Sequence, residues 1–348
     1  MRSVAITGVS GALGRRIVAA MADTGAWEVV GVDIAPFPAA VAIPRRFTVH
    51  RADLRNVELK RLFEGVDSVI HLAAGDPADA SLKDDDVVAT ARVLDAASAV
   101  GVRSLVVVSS AAVYGAWDDN PVPLTEDAPL RPNPGFRYAE TKAEAERVTA
   151  TWRREHPGVA VAVLRPAATL GHPDAKSWLA DVVRPSLADR LTRPLPSLQF
   201  VHVDDVASAV LHALSHRLDG AFNVASTDWI QGDEAPELLG PNIRLPVPVW
   251  MADALAWAVE HLFGVTRRAG AIEYSRAPWV IATDRLQATG WAPHSTSAEA
   301  FVANARPSPI RRFVARHRQE VALGAVGAGA ISALGTLGLV LRRFRRRR

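Results

Sequence analysis

A doubly wound α/β fold, a parallel sheet with helices on both faces, is what this 348-residue sequence predicts. Three observations carry the expectation. Apolar runs of strand length alternate with helix-period stretches from residue 3 to about residue 165. The first run feeds directly into a glycine-rich turn and a helix, and the second run ends on an acid. Hydrophobic residues make up 49% and charged residues 22%, which supplies a sizeable core and excludes a wholly disordered chain.

The elements follow in order. Val4–Thr7 reads as a buried strand, and Leu13–Thr24 after it carries apolar positions at helical spacing. Glu28–Asp33, Ser68–Leu72, Ser104–Ser109 and Val159–Leu164 read as further strands. Their near-continuous Val, Ile and Leu content suits strands covered on both faces. Asp84–Val100 and Tyr138–Glu155 read as the helices between them. Beyond 165 the pattern loosens, and Pro-rich pieces such as RPLPSL and PNIRLPVPVW punctuate shorter elements. A smaller, mostly helical region over the carboxyl edge of the sheet is expected there.

The first turn reads Thr7-Gly8-Val9-Ser10-Gly11-Ala12-Leu13-Gly14. Gly8 permits the tight turn, Gly11 lets the backbone approach a pyrophosphate, and Gly14 lets the helix pack close to the strand. Ala12 and Leu13 open the helix, whose free N–H groups and partial positive charge face an anion. This is the dinucleotide-binding turn of a Rossmann sheet, spaced G-x-x-G-x-x-G. Asp33 ends the second strand, 19 residues after Gly14. Its carboxylate can accept from ribose hydroxyls and repels a 2′-phosphate, so NAD is expected rather than NADP. Arg45 and Arg46, downstream, would favour NADP only if they lay close.

Composition limits the remaining chemistry. The chain has no cysteine, which excludes a disulfide scaffold, a thiolate metal site and a cysteine nucleophile. Its formal charge is +3, yet residues 306–348 hold eleven Arg against one Glu, so the rest is net acidic. The high pI therefore belongs to the tail, and no nucleic-acid partner is expected. The opening MRSVAITG leaves no room for a signal peptide, so a cytoplasmic body is expected. Residues 321–341 carry no charge between basic flanks, long enough to span a bilayer as a transmembrane helix. Ala325, Gly329 and Ala333 form a small-residue stripe suited to helix pairing, which leaves room for a homodimer. A basic linker at 306–320 and an Arg-rich tail at 342–348 flank that helix.

A family resemblance rests on motifs in this order: TGVSGALG, Asp33, Ala52-Asp53-Leu54, HLAA at 71–74, SSAAVYG at 109–115, YAETK at 138–142 and LRP at 164–166. Together they resemble the extended short-chain dehydrogenase/reductases, the NAD-dependent epimerase/dehydratase group. FVHVDDVA (200–207), GAFNVAS (220–226) and TDRLQATGWAPHSTSAEAF (283–301) resemble that family's carboxyl-terminal half. The resemblance covers roughly residues 3–304 and implies an NAD-binding domain at 1–165 and a mainly substrate-binding region at 166–305. It implies Asp53 and Leu54 beside the adenine, Ala73 and Ala74 along the ribose and nicotinamide side, and Pro166 over the nicotinamide.

It also implies a catalytic trio of Ser110, Tyr138 and Lys142. Tyr138 and Lys142 are four apart and share a helix face. An ammonium and a positive nicotinamide ring beside the phenol are expected to lower its pKa, and Lys142 can also hold the ribose. Ser110 would hydrogen-bond the reacting oxygen. Tyr138 would take the hydroxyl proton of a secondary alcohol while hydride leaves for the cofactor.

Some positions depart from the family. Asp86 stands where an asparagine is usual in an N-V-x-G-T pattern, and Ala167–Gly171 offers no amide to a sugar diphosphate. Ala111 and Ala112 occupy the place of a dehydratase's acid pair, which disfavours dehydration. The substrate is then a sugar nucleotide or related small molecule, or a lipophilic alcohol of the hydroxysteroid type; a non-catalytic NAD-binding scaffold is the reading from another class. Among other residues, Asp204 or Asp205 is expected to cap the helix running to Ser215, with no metal at His202. Glu126 and Asp127 are expected in a solvated loop, Tyr114 as packing at a strand end, and Trp250 and Trp257 on an apolar helix face.

Overall fold

Near-continuous apolar runs, buried on both faces, build the central strands of the molecule. The structure, a computed structural model, describes residues 2–74, 85–171, 196–232 and 271–303. The strands are β1 (Arg2–Thr7), β2 (Trp27–Asp33), β3 (Arg46–Arg51), β4 (Ser68–His71), β5 (Ser104–Val108), β6 (Ala160–Pro166), β7 (Ala168–Leu170), β8 (Phe200–His202) and β9 (Gly220–Val224). Seven join one sheet in the order β3-β2-β1-β4-β5-β6-β9, every pair parallel. The order reverses between β1 and β4, the switch point where ligands bind at the carboxyl ends of strands. β7 and β8 form a separate parallel pair.

The helices are α1 (Ala12–Thr24), α2 (Leu59–Leu62), α3 (Asp85–Val100), α4 (Arg137–Glu155), α5 (Val203–His216), α6 (Asp284–Gln287) and α7 (Ser297–Ala303). Alternation along the strands sorts the core into two layers. Val4, Ile6, Ile70, Val106 and Leu164 pack with Ile17 and Met21 of α1 and Val206 and Val210 of α5. Ala5, Val69, Leu105, Val107 and Val163 face the other way, against Val93, Leu94 and Ala97 of α3 and Trp152 of α4. Burying each large apolar side chain contributes about 1.5–3 kcal/mol, so both faces of the sheet are anchored. An Arg16–Asp204 ion pair ties α1 to α5 across the first layer.

Two strands of this sheet carry no apolar run and are not visible as strands in the sequence. β3 is an edge strand, RFTVHR, exposed on alternate residues. β9 supplies the other edge from beyond residue 165, so the described parts of that region contain strands as well as helices. Register places Arg46 opposite Glu28, at the amino end of β2 and about 17 Å from Asp33 along the strand. Arg51 instead pairs with Asp33, its Nε donating to the Ile34 carbonyl at 3.0 Å.

Residues Met1–Asn304 form one unit. The expected linker 306–320, membrane helix 321–341 and tail 342–348 lie outside the described residues, as do Trp250 and Trp257. Among the described residues no helix is long and apolar enough to cross a membrane.

Candidate active site

Loops at the carboxyl ends of β1, β3, β4 and β5 carry much of the expected site. The first follows β1. Gly8 adopts φ +72°, and a methyl group there would stand 2.7 Å from the Ala73 nitrogen. At Gly14 a methyl group would stand 2.5 Å from the carbonyl oxygens of Gly8 and Val9, so α1 can pack this close only without a side chain. Gly11 is the N-cap and brings no side-chain hydrogen bond, and the first turn holds no acid. The helix amino end is therefore left to an external anion, with Ala12 and Leu13 on its rim. Asp33 braces the turn: Oδ2 accepts from the Ser10 N–H at 2.9 Å and Oδ1 from the Ala35 N–H at 2.9 Å. This cradle fits a dinucleotide pyrophosphate.

Asp53 and Leu54 follow β3 at the same edge. Leu54 is buried. The Asp53 carboxylate is engaged within its own loop, accepting from Arg55 Nη2 at 2.7 Å and from the Arg55 N–H at 2.9 Å. These bonds hold its pKa below the usual carboxylate range. Ala73 and Ala74 follow β4, with the Ala73 backbone under Gly8 and Ala74 exposed. Pro166 is buried at the end of β6.

The sequence reading missed a buried histidine chain here. Thr90 Oγ1 donates to the Asp86 carbonyl at 2.7 Å, so it accepts from His71 Nε2 at 3.0 Å. His71 Nδ1 then accepts from Thr7 Oγ1 at 2.7 Å. The chain joins β1, β4 and α3 beneath the glycine turn. Burial holds the His71 pKa down at about 3, with the Lys142 charge a lesser cause. That value lies below the ordinary 6.5, so the stability contributed by neutral His71 is full above pH 6.5 and is lost as pH falls towards 3. Urea unfolding between pH 7 and 5 is expected to show a slope approaching about 1.4 kcal/mol per pH unit from this group. His71→Gln, which cannot titrate, flattens that slope.

The second half of the site comes from β5 and α4. Ser110 follows β5 and caps a 3-10 turn, Ala111–Tyr114, its Oγ accepting from the Ala112 N–H at 3.2 Å. Tyr138 and Lys142 lie one turn apart near the start of α4. Ser110 lies close enough to the Tyr138 phenol for its side chain to lower the phenol's pKa. Lys142 is buried, with Nζ 3.5 Å from the Val108 carbonyl. The three residues expected from YAETK and SSAAVYG are thus brought together.

The expected acidification of the phenol depends on the positive nicotinamide ring as well as on Lys142; without a cofactor, burial dominates. Burial pushes Tyr138 up to about 12, against the lowering influence of Ser110, and the Asp86 carboxylate adds to the rise. Burial also lowers the Lys142 pKa, opposed by Asp86 and Glu146. Asp86 therefore bears on both groups from the position where the family places an amide.

Three expectations are corrected. The cap of α5 is His202, whose Nδ1 accepts from the Asp204 N–H at 3.2 Å, and not Asp204 or Asp205. Asp205 is instead buried, accepting the N–H groups of His294 and Ser295. Glu126 is buried rather than solvated because it accepts the Asn223 N–H at 2.8 Å; Asp127 stays exposed. Tyr114 lies in the 3-10 turn, and its hydroxyl is hydrogen-bonded on both sides, so it does more than pack. Among the described residues no group of three His, Asp or Glu could hold a metal ion.

Comparison with known proteins shows the family and the fold. The profile of the NAD dependent epimerase/dehydratase family matches residues 4–225. An uncharacterized protein of Mycobacterium tuberculosis is 29% identical over 333 residues, covering 90% of this chain and 86% of that one. A dTDP-glucose 4,6-dehydratase of Streptomyces griseus is 37% identical over 133 residues, covering 36% of this chain and 39% of its own. The crystal structure of a Thermus thermophilus UDP-glucose 4-epimerase in complex with NAD superposes with a TM-score of 0.64 at 24% identity, covering 87% of this chain and 97% of that one. That likeness extends to the fold. With the family profile matched over most of the chain, the protein belongs to the NAD-dependent epimerase/dehydratase family, enzymes of the extended short-chain dehydrogenase/reductase type whose cofactor is NAD.

Proposed function

We propose that this enzyme interconverts a secondary alcohol and its ketone on a sugar nucleotide, as an epimerase or dehydrogenase, with Ser110, Tyr138 and Lys142 as the reacting side chains. The observation that carries the reading is that Ser110, at the carboxyl end of β5, bears directly on the Tyr138 phenol, with Lys142 one turn further along α4. Gly8, Gly11, Ala12, Leu13 and Gly14 would hold the pyrophosphate. Asp33 would hold the adenosine ribose, Asp53 and Leu54 would flank the adenine, and Ala73, Ala74 and Pro166 would line the nicotinamide side. NAD⁺, when bound, supplies a hydride acceptor and a positive ring.

The protein's part is proton handling. The Tyr138 oxygen takes the alcohol proton as the C–H pair leaves as hydride, and returns it in the reverse step. Ser110 donates to the reacting oxygen and steadies its developing charge. Lys142 supplies a buried cation and can grip the nicotinamide ribose. Ala111 and Ala112 are wholly buried and apolar, so these two positions supply no acid to drive dehydration. The relatives named as a UDP-glucose 4-epimerase and a dTDP-glucose 4,6-dehydratase favour a nucleotide-linked hexose.

The test is a panel. Purified protein with NAD⁺ is expected to epimerise or oxidise UDP-glucose, UDP-galactose or dTDP-glucose, followed by product chromatography and absorbance at 340 nm. Turnover of a hydroxysteroid alone would move the substrate to the lipophilic class. NAD⁺ binding with no turnover of either class would leave a scaffold.

A further inference from the structure

Ser110 and Tyr138 stand on different elements, yet both elements converge on one buried guanidinium. Arg165, on β6, is 6% exposed, and Glu146, one helical turn beyond Lys142 on α4, is 5% exposed. Arg165 Nη2 donates to Glu146 Oε2 at 2.7 Å and Nε donates to Oε1 at 3.1 Å. On its other side Arg165 Nη1 donates to the Tyr114 hydroxyl at 2.7 Å and to the Glu126 carbonyl at 3.1 Å. The guanidinium carbon lies 5.0 Å from the Tyr114 ring centroid. The Tyr114 hydroxyl donates in turn to Asn223 Oδ1 on β9 at 2.7 Å. With one donor and one acceptor bond made, its orientation is fixed.

Tyr114 closes the 3-10 turn that Ser110 opens. Within that turn the Val113 N–H donates to the Ser110 carbonyl at 3.2 Å and the Gly115 N–H to the Ala112 carbonyl at 3.1 Å. A displacement at Tyr114 therefore reaches Ser110 through a hydrogen-bonded unit. Apolar side chains would fill this volume at lower desolvation cost; a phenol, guanidinium and carboxylate add direction.

We propose that Tyr114, held between Arg165 and Asn223, is a positioning residue that holds Ser110 in place against the Tyr138 phenol, while Arg165–Glu146 fixes α4 to the same point. The inference rests on Ser110 and Tyr138 being the reacting pair. With its hydroxyl taken up by Arg165 and Asn223, Tyr114 acts through Ser110.

The chain contains only three tyrosines, so tyrosine ¹³Cζ NMR of the NAD⁺-bound protein follows Tyr138 directly. Burial keeps the other two, Tyr114 and Tyr274, above the ordinary range. The groups around Tyr138, which are Asp86 on α3, Lys142 along α4 and Tyr274 from the carboxyl-terminal part, stay constant across the variants. Tyr114→Phe is expected to raise the Tyr138 pKa by about half a pH unit, a fraction of one hydrogen bond. Ser110→Ala raises it further, and the double variant matches Ser110→Ala alone, because Tyr114 acts only through Ser110. Asn223→Ser, which removes the acceptor without touching the ring, gives the same rise should Tyr114→Phe fail to fold. A Tyr138 titration that Tyr114→Phe and Asn223→Ser leave unmoved, or effects that add in full to Ser110→Ala, overturn the inference alone. If Ser110→Ala itself leaves Tyr138 unmoved, the reading of the reacting pair falls, and this inference with it.

Discussion

Tyr138→Phe is expected to cut turnover by about 10²–10⁴-fold, the range set by general acid–base catalysis. The phenol oxygen is the only atom removed, and the ring keeps its place beside Phe136, with centroids 6.1 Å apart. The glycine turn, Asp33 and the His71 chain belong to other elements and are untouched. NAD⁺ affinity should therefore fall several-fold at most, the worth of one hydrogen bond. Calorimetric NAD⁺ titration beside a turnover assay separates the two effects. Loss of binding equal to the loss of rate would make Tyr138 a cofactor contact only. In the cofactor-free protein the phenol lies near 12, so the acid limb of the rate profile reports how far the bound cofactor's charge and Lys142 bring it down. Asp86→Asn removes a carboxylate that raises that value.

Local chemistry was legible in the sequence, and tertiary chemistry was not. The strand runs around Val4, Val69 and Val106 are continuous because both faces of those strands are buried, and such runs can be read without a fold. Edge strands lack that signal: β3, RFTVHR, has only two apolar residues, and β9 is only GAFNV. Tyr138 and Lys142 are legible as a pair because helical spacing alone brings them together. Tyr114, Glu126, Glu146, Arg165 and Asn223 meet only after β5, β6, β9 and α4 have assembled. Glu146 carried one faint signal, its place four residues after Lys142 in YAETKAEAE, but a charged residue at that spacing usually faces solvent. In HVDD the aspartates two and three residues after His202 are the commoner capping residues and mask the histidine's part, and the burial of Asp205 has no signal in VDDVA.

The buried pair also gives the largest expected stability change. Glu146→Gln keeps the shape of the side chain but leaves the Arg165 charge desolvated without its counter-ion. Breaking such a pair by removing one partner costs about 3–5 kcal/mol. Glu144→Gln on the same helix removes an ion pair with Arg147 in which both side chains are more than half exposed, and should change stability by less than about 0.5 kcal/mol. Urea unfolding of the two variants in parallel tests the contrast, because helix, residue type and change are the same and burial alone differs. The double variant Glu146→Met/Arg165→Met removes both charges and should recover most of the lost stability, since apolar replacements for a buried ion pair are often neutral. It should not recover turnover, because the Tyr114 hydroxyl loses the guanidinium that fixes it and Ser110 loses its alignment with Tyr138. Stability regained without activity would separate the pair's contribution to folding from its contribution to geometry. Activity regained together with stability would make it packing alone.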